Sequence, residues 1–268
     1  MKTYVRIIEN CKMGKAIFFD VDGTLLSHRT GDTPESTIEA IRLLKEKGCL
    51  IVMASGRHPS ELKSLHIDGI EFDDYITTNG QIIMNHDWKL IADNPVPKDV
   101  LWLLADAFES KLLPLQFCTI DDLYMNYLDD YSKKILDSIH TPYPKTAPYC
   151  GEKIYQCVAY EVNEHREWLD AISEKFCVTS WHPDAVDIIT KGGGKAWGIK
   201  AYLDAKGISR EETIAFGDGE NDLEMIRFAK IGVAMGNATR SLKENADFIT
   251  TDIDDDGVYN AAIRLGMI

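Results

Sequence analysis

Residues 15–26 read KAIFFDVDGTLL, a short apolar run that stops at two acids, a glycine and a threonine. A stretch that is apolar at every position, rather than at alternate ones, suits a strand covered on both faces, as in a parallel sheet. The sequence on either side repeats that signal with helices between. From Thr33 to Lys47, Ile38, Ile41, Leu43 and Leu44 fall on one side of a helix, with Pro34 in its first turn and Gly48 as its stop. CLIVMASGR (49–57) reads as a second buried strand ending in Ser-Gly-Arg, a helix follows through Leu65, and DDYITTNG (73–80) gives a third strand ending at Asn79-Gly80. The same rhythm returns late in the chain. VDIITKGGGK (186–195), a helix from Lys195 to Ala205, the strand in TIAFGDGEND (213–222), a helix through Arg227, IGVAMGN (231–237) and a last strand at Asp247 to Thr250 complete it. Such alternation predicts an α/β domain with a doubly wound parallel sheet.

Between these halves the pattern changes. Residues 85–186 hold most of the prolines, and the strand candidate KIYQCVAYEV (153–162) alternates instead of running apolar. Helices are expected at Lys98 to Lys111, Asp129 to Ile139 and Glu164 to Lys175, with a proline-rich loop at Thr141 to Gly151. This segment reads as an inserted α+β domain whose sheet has one solvated face. The main domain is then discontinuous, 1–84 with 187–268.

The chain has 268 residues, 43 acidic and 29 basic, for a formal charge of -14. That surface repels nucleic acid and anionic lipid at long range, so neither is an expected partner. The densest apolar stretch, Cys49 to Ala54, is far short of the roughly 20 residues a membrane helix needs. Cysteines at 11, 49, 118, 150, 157 and 177 form no Cys-x-x-Cys pair, and the N-terminus has no apolar signal segment. A reducing, cytoplasmic location is expected. Residues 1–12 add no clear element and read as a dispensable leader, with Met13 as an alternative start.

Chemistry concentrates at the strand ends, where open α/β sheets bind ligands. Asp20 and Asp22 can project into one crevice, and two acids there persist together only beside a cation or by dividing acid and base work. Asp218 and Asp222 in GDGEND repeat the arrangement, and Mg²⁺ is the natural guest of such hard oxygen ligands. Ser55 and the backbone of Gly56 can hold a phosphate oxygen. Lys195 follows three glycines and starts a helix, a favourable place for an anion. Lys191 is a weaker candidate, Asn79-Gly80 borders the same crevice, and Arg57 stands at its entrance. The acidic run Asp252 to Asp256 reads as a solvated loop and helix start.

DVDGT (20–24), ASGR (54–57), Lys195 and GDGENDLEM (217–225) closely resemble, in order and spacing, the four motifs of the haloacid dehalogenase-like hydrolases. The long insertion between the second and third motifs resembles the Cof-type phosphatases. The resemblance implies a Rossmann-like core with an α+β cap, and a Mg²⁺-dependent phosphatase of small phosphorylated metabolites, sugar phosphates foremost. It further implies Asp20 as nucleophile and Asp22 as acid and base. Ser55, Gly56, Lys195 and Asn221 would bind the phosphoryl group. Asp20, the backbone carbonyl of Asp22, Asp218 and Asp222 would hold or support the metal. Trp88, Tyr124, Tyr127, Trp181 and His182 are weighed as cap lining, but aromatics in a small domain are more often its core, so they are not taken as site residues. Two alternatives stay open: a phosphomutase resembling the phosphomannomutases, and a phosphoryl- or Mg²⁺-binding regulator without turnover. Oligomeric state and exact substrate are not readable from the sequence.

Overall fold

A computed structural model describes residues 16–268 apart from 66, 68 and 140. The expected leader at 1–12 lies outside the described residues. The chain builds two sheets. The larger has eight strands in the order β14-β13-β12-β1-β2-β3-β4-β5: β1 Ala16–Phe19, β2 Leu50–Ala54, β3 Asp74–Thr77, β4 Ile82–Asn85, β5 Leu90–Asp93, β12 Thr213–Gly217, β13 Ile231–Ala234 and β14 Phe248–Ile249. Pairing is parallel from β14 to β3 and antiparallel at β3-β4 and β4-β5.

The strand order explains the site. From β1 the chain moves outward through β2 and β3, and on its return it fills the other side through β12, β13 and β14. The switch therefore lies between β1 and β12, whose C-terminal ends carry Asp20 and Asp218. Phe19 pairs in register with Phe216, and their rings stack at 4.8 Å, which fixes the two ends side by side. Residues of β1 are wholly buried, as an all-apolar central strand requires.

The smaller sheet, the cap, runs β10-β11-β9-β6-β7-β8, with β6 Leu115–Cys118, β7 Leu123–Met125, β8 Lys145–Thr146, β9 Gln156–Tyr160, β10 Phe176–His182 and β11 Ala185–Thr190. It is antiparallel except at β7-β8. In order along the chain, the helices are α1 Glu35–Glu46, α2 Pro59–Ser64, α3 Lys98–Glu109, α4 Asp130–Ser138, α5 Arg166–Ser173, α6 Lys195–Lys206, α7 Leu223–Phe228, α8 Arg240–Asn245 and α9 Gly257–Arg264. Leu104 and Phe108 of α3 and Ile172 of α5 pack against Leu115, Phe117, Cys157 and Ala159 on one face of the cap sheet. No helix among the described residues is long and apolar enough to cross a membrane.

Two expectations change. The core sheet continues past residue 84 through the β4-β5 hairpin, so Leu90–Asp93 pairs with the core and not with the cap sheet. Trp88 belongs to that hairpin, stacks on Tyr75 at 4.0 Å and packs against the small cluster of Ile82, Met84 and the cap residue Tyr155. The cap sheet also lacks the solvated face expected at β9, all five of whose residues are buried. Ile135 and Leu136 of α4 cover part of that second face, and Asn79 of the core reaches Gln156 and Asp187 on it.

Candidate active site

Asp20 leaves β1 buried and meets Lys195, whose ammonium donates to Asp20 Oδ1 at 2.5 Å and to Asp222 Oδ1 at 2.6 Å. Lys195 is itself wholly buried. It reaches this depth because α6 starts close against the turn after β3. Gly80 has φ +85°, and a Cβ there would lie 2.2 Å from the carbonyl oxygen of Gly194, so only glycine admits the helix start. Asp222 is oriented by backbone: its Oδ2 accepts the N–H groups of Asp218 and Gly219, each at 2.9 Å, which leaves Oδ1 for the lysine.

Asp218 stands on the other side. Its Oδ1 accepts the Thr24 hydroxyl at 2.9 Å, and Gly23, at φ +86°, passes so close that a Cβ would meet Asp218 Oδ2 at 2.2 Å. Asp20, Asp218 and Asp222 thus offer carboxylate oxygens that all lie within 4.8 Å of one another. Burial, then the charge of Asp222, pushes the Asp20 carboxyl well above its ordinary range, against the pull of Lys195. Burial and Asp222 push Asp218 up to about 6. Lys195 is drawn down by burial, yet the facing charges of Asp20 and Asp222 outweigh this and hold it above its usual value. Three carboxylates against one ammonium leave two uncompensated negative charges when all are ionised, and a hard divalent cation fits both that deficit and the all-oxygen donor set.

Asp22 does not join this cluster. Its carboxylate takes a bidentate pair from Arg57, Nε at 2.8 Å and Nη2 at 2.7 Å, and the pairing raises the guanidinium further. The two side chains remain 40% and 29% exposed. Arg57 is therefore a partner of Asp22 at the crevice entrance.

The phosphoryl-binding candidates gather at the ends of β2 and β3. Ser55 is buried, its Oγ accepts the Arg57 N–H at 3.1 Å, and its carbonyl accepts the Asn79 N–H at 3.1 Å. A Cβ on Gly56 would lie 3.1 Å from Asn79 Oδ1, so the glycine lets Asn79 approach. Asn221 Nδ2 donates to the same Asn79 oxygen at 3.1 Å. Thr78 and Asn79 both adopt left-handed backbone, φ 54° and 50°. Asparagine tolerates this region, whereas a β-branched threonine is strained there by about 1–3 kcal/mol. This turn places the Asn79 side chain between Asn221 and the cap, where its Nδ2 donates to Asp187 Oδ2 at 2.7 Å and Gln156 Oε1 at 3.1 Å.

The structure leaves some candidates outside. Lys191 donates to the Glu174 carbonyl at 2.6 Å, in the exposed region beyond the site. Asp254 pairs with Arg29, in keeping with a solvated acidic run. Tyr124 packs in the cap core against Phe108 and Phe117. Other residues had no signal in the sequence. Asn237 Nδ2 donates to the Gly23 carbonyl at 2.7 Å and ties the two halves of the core together beside Asp218. His58 is buried, and its Nδ1 accepts the Ser60 N–H at 3.2 Å, so Nε2 carries the proton donated to the cap carbonyl of Thr119 at 3.0 Å.

Comparison with known proteins gives the family and the fold. The family profile described as haloacid dehalogenase-like hydrolase matches residues 17–262. The protein named "Putative phosphatase YkrA" of Bacillus subtilis is 34% identical over 95% of this chain and 98% of its own length. BT1666 of Bacteroides thetaiotaomicron, from the phosphatases of the haloalkanoate enzyme superfamily, superposes with a TM-score of 0.86 at 28% identity, covering 97% of each chain. BT4131, a sugar phosphatase of HAD subclass IIB, superposes with a TM-score of 0.82 at 34% identity, covering 95% of this chain and all of its own.

Proposed function

This chain belongs to the haloacid dehalogenase-like hydrolases and is a phosphatase, and on that premise we propose that it hydrolyses phosphate monoesters of small polyhydroxylated metabolites, sugar phosphates foremost, through a phosphoryl-Asp20 intermediate with Mg²⁺ as cofactor. The observation that carries this reading is the convergence of Asp20, Asp218 and Asp222 at the sheet's switch point with Lys195 between two of them. The name and 34% identity of the sugar phosphatase BT4131 support the substrate class.

Asp20 Oδ2 accepts no hydrogen bond among the described residues, so one oxygen of the nucleophile is available to phosphorus while the other is held by Lys195. Attack forms the Oδ–P bond and breaks the bond from phosphorus to the leaving oxygen. Asp22, released from Arg57 and protonated by solvent, gives that oxygen its proton. Asp22 then takes a proton from water as the water oxygen attacks phosphorus, which frees phosphate and restores Asp20. A carboxylate facing a phosphate dianion at about 4 Å is opposed by roughly 8 kcal/mol at an effective dielectric near 20, and the Lys195 ammonium offsets part of this. Asp20, Asp218 and Asp222 would hold Mg²⁺, and the ion would supply the remaining charge neutralisation. Ser55, the Gly56 backbone and Asn221 orient the phosphoryl oxygens.

The test is phosphate release from a panel of phosphorylated metabolites, with Mg²⁺ or chelator, for wild type and Asp20→Asn. We expect Mg²⁺-dependent release that falls on the order of 10⁴-fold or more in the variant. Release that survives in Asp20→Asn overturns the covalent route. Labelled phosphate that stays on a sugar instead of appearing free identifies a mutase.

A further inference from the structure

Beyond the phosphoryl site, the second face of the cap sheet carries a row of polar side chains in mid-strand. Gln116 in β6, Gln156 and Tyr160 in β9 and Asp187 in β11 come together because β6, β9 and β11 are adjacent. The β9 residues that alternate with them, Cys157 and Ala159, face the cap helices. Polar groups in the middle of a nearly buried sheet face are costly unless they are partnered. Here the partnering is partial.

Asp187 Oδ2 accepts Asn79 Nδ2 at 2.7 Å and its Oδ1 accepts the Trp181 indole N–H at 3.0 Å, so each oxygen keeps a further lone pair. Gln156 Oε1 also takes the Asn79 N–H, while its Nε2 donates to no partner among the described residues. Tyr160 donates to Gln116 Oε1 at 3.3 Å. The row therefore offers free acceptors and a free donor side by side, and Asn79 joins it directly to Asn221 in the phosphoryl site. No lysine or arginine of the cap bonds to Asp187, Gln156 or Gln116 among the described residues, and the half-buried Glu61, with Arg57 beside it, adds a second negative group nearby.

We infer that Asp187, with Gln156, is the specificity-determining pair of this enzyme and selects a neutral leaving group bearing adjacent hydroxyls. A hydroxyl both donates and accepts, so vicinal hydroxyls satisfy Asp187 and Gln156 Nε2 together. A leaving group carrying a carboxylate or a second phosphate meets Asp187 and Glu61 with like charge. A flat aromatic group leaves the carboxylate without a donor, and sites built to bond hydroxyls reject such analogues.

The inference rests on the phosphatase reading above, and its experiment separates the two. kcat/KM is measured with Mg²⁺ for wild type, Asp187→Asn, Asp187→Ala and Gln156→Ala. The substrates are the best hexose or pentose phosphate of the panel, 3-phosphoglycerate and p-nitrophenyl phosphate. In Asp187→Ala the ratio of sugar phosphate to p-nitrophenyl phosphate should fall roughly 10- to 100-fold, the range for losing a hydrogen bond to a charged group. The loss should lie mainly in KM, Asp187→Asn should retain part of the preference, and discrimination against 3-phosphoglycerate should relax in both. Gln156→Ala, which removes no charge, should lower the first ratio and leave the discrimination against 3-phosphoglycerate in place. Ratios that stay within twofold of wild type in all three variants, with Mg²⁺-dependent release continuing, overturn the inference and leave the phosphatase reading standing. Wild type that releases phosphate from none of the substrates overturns both.

Discussion

In the core the chemically active side chains stand just past the ends of parallel strands, whereas on the cap they stand in the middle of antiparallel ones. Past the end of β1 or β12 the backbone itself is the positioning device: Asp222 is held by two N–H groups, and Gly23 and Gly80 allow approaches that no side chain would permit. On the cap sheet, Asp187 and Gln156 are aimed by strand pairing and by one bridging side chain, Asn79. The core site is thus a concentration of charge with little freedom to vary. The cap site is a surface of exchangeable side chains, and for that reason suits substrate choice.

The largest effect that separates the two regions should come from Lys195→Met. Its ammonium is the only positive group bonded to Asp20 and Asp222 among the described residues, and removing one partner of a buried ion pair costs about 3–5 kcal/mol. Added Mg²⁺ should restore part of that loss, read as melting temperature with and without the ion. Phe117→Ala in the cap core is the control. It should cost about 3–5 kcal/mol through lost packing, with no dependence on Mg²⁺. Equal Mg²⁺ responses in the two variants would erase the electrostatic distinction between core and cap.

Next comes the pH response of Asp187. Burial raises this carboxyl to about 7 against the opposing hydrogen bonds of Asn79 and Trp181, with Glu61 adding to the rise and Lys195 reducing it. A carboxyl whose folded value lies above its unfolded 3.8 binds its proton more tightly in the native state, so its contribution is present below pH 4 and is lost as pH climbs to 7. The full shift is worth at most about 4 kcal/mol, and about half that for a side chain still reached by water. The stability of wild type relative to Asp187→Asn should therefore fall by about 2 kcal/mol between pH 4.5 and pH 8, measured by thermal melting. A gap that stays constant across that range would mean the carboxylate is already well solvated.

The same contrast explains what the sequence made legible. DVDGT and GDGEND are contiguous, because a strand end and its turn are local, and so the acid clusters and Lys195 could be read directly. Asn79 was half legible, as a strand terminus that reads equally well as a turn. Its role as bridge depends on Asp187 and Gln156, far along the chain, and alternation in β9 gives the face of a side chain without what opposes it. Hence a solvated face was expected where α4 packs and Asn79 of the core reaches across. The β4-β5 hairpin was missed because the change from parallel to antiparallel pairing happens inside the core sheet, before the chain crosses to the cap.

The smallest expected effect belongs to Arg57, and it sharpens the comparison most economically, because Arg57 and Lys195 each bond an acid of the DVDGT motif. Lys195 does so with no exposure. Arg57 and Asp22 are 29% and 40% exposed, so water and salt screen their attraction, and a bidentate pair of this kind contributes no more than about 1 kcal/mol. Arg57→Ala should accordingly lower the melting temperature far less than Lys195→Met and should show no rescue by Mg²⁺. In the mechanism proposed above Asp22 gives up its Arg57 pair before acting as acid, so the variant loses only a contact at the crevice entrance. The variant's loss in kcat/KM should stay below about tenfold, the consequence of one weakened screened contact. If Arg57→Ala proves as damaging to stability as Lys195→Met, then exposure is not what ranks these two cations, and the entrance of the crevice is as tightly built as its floor.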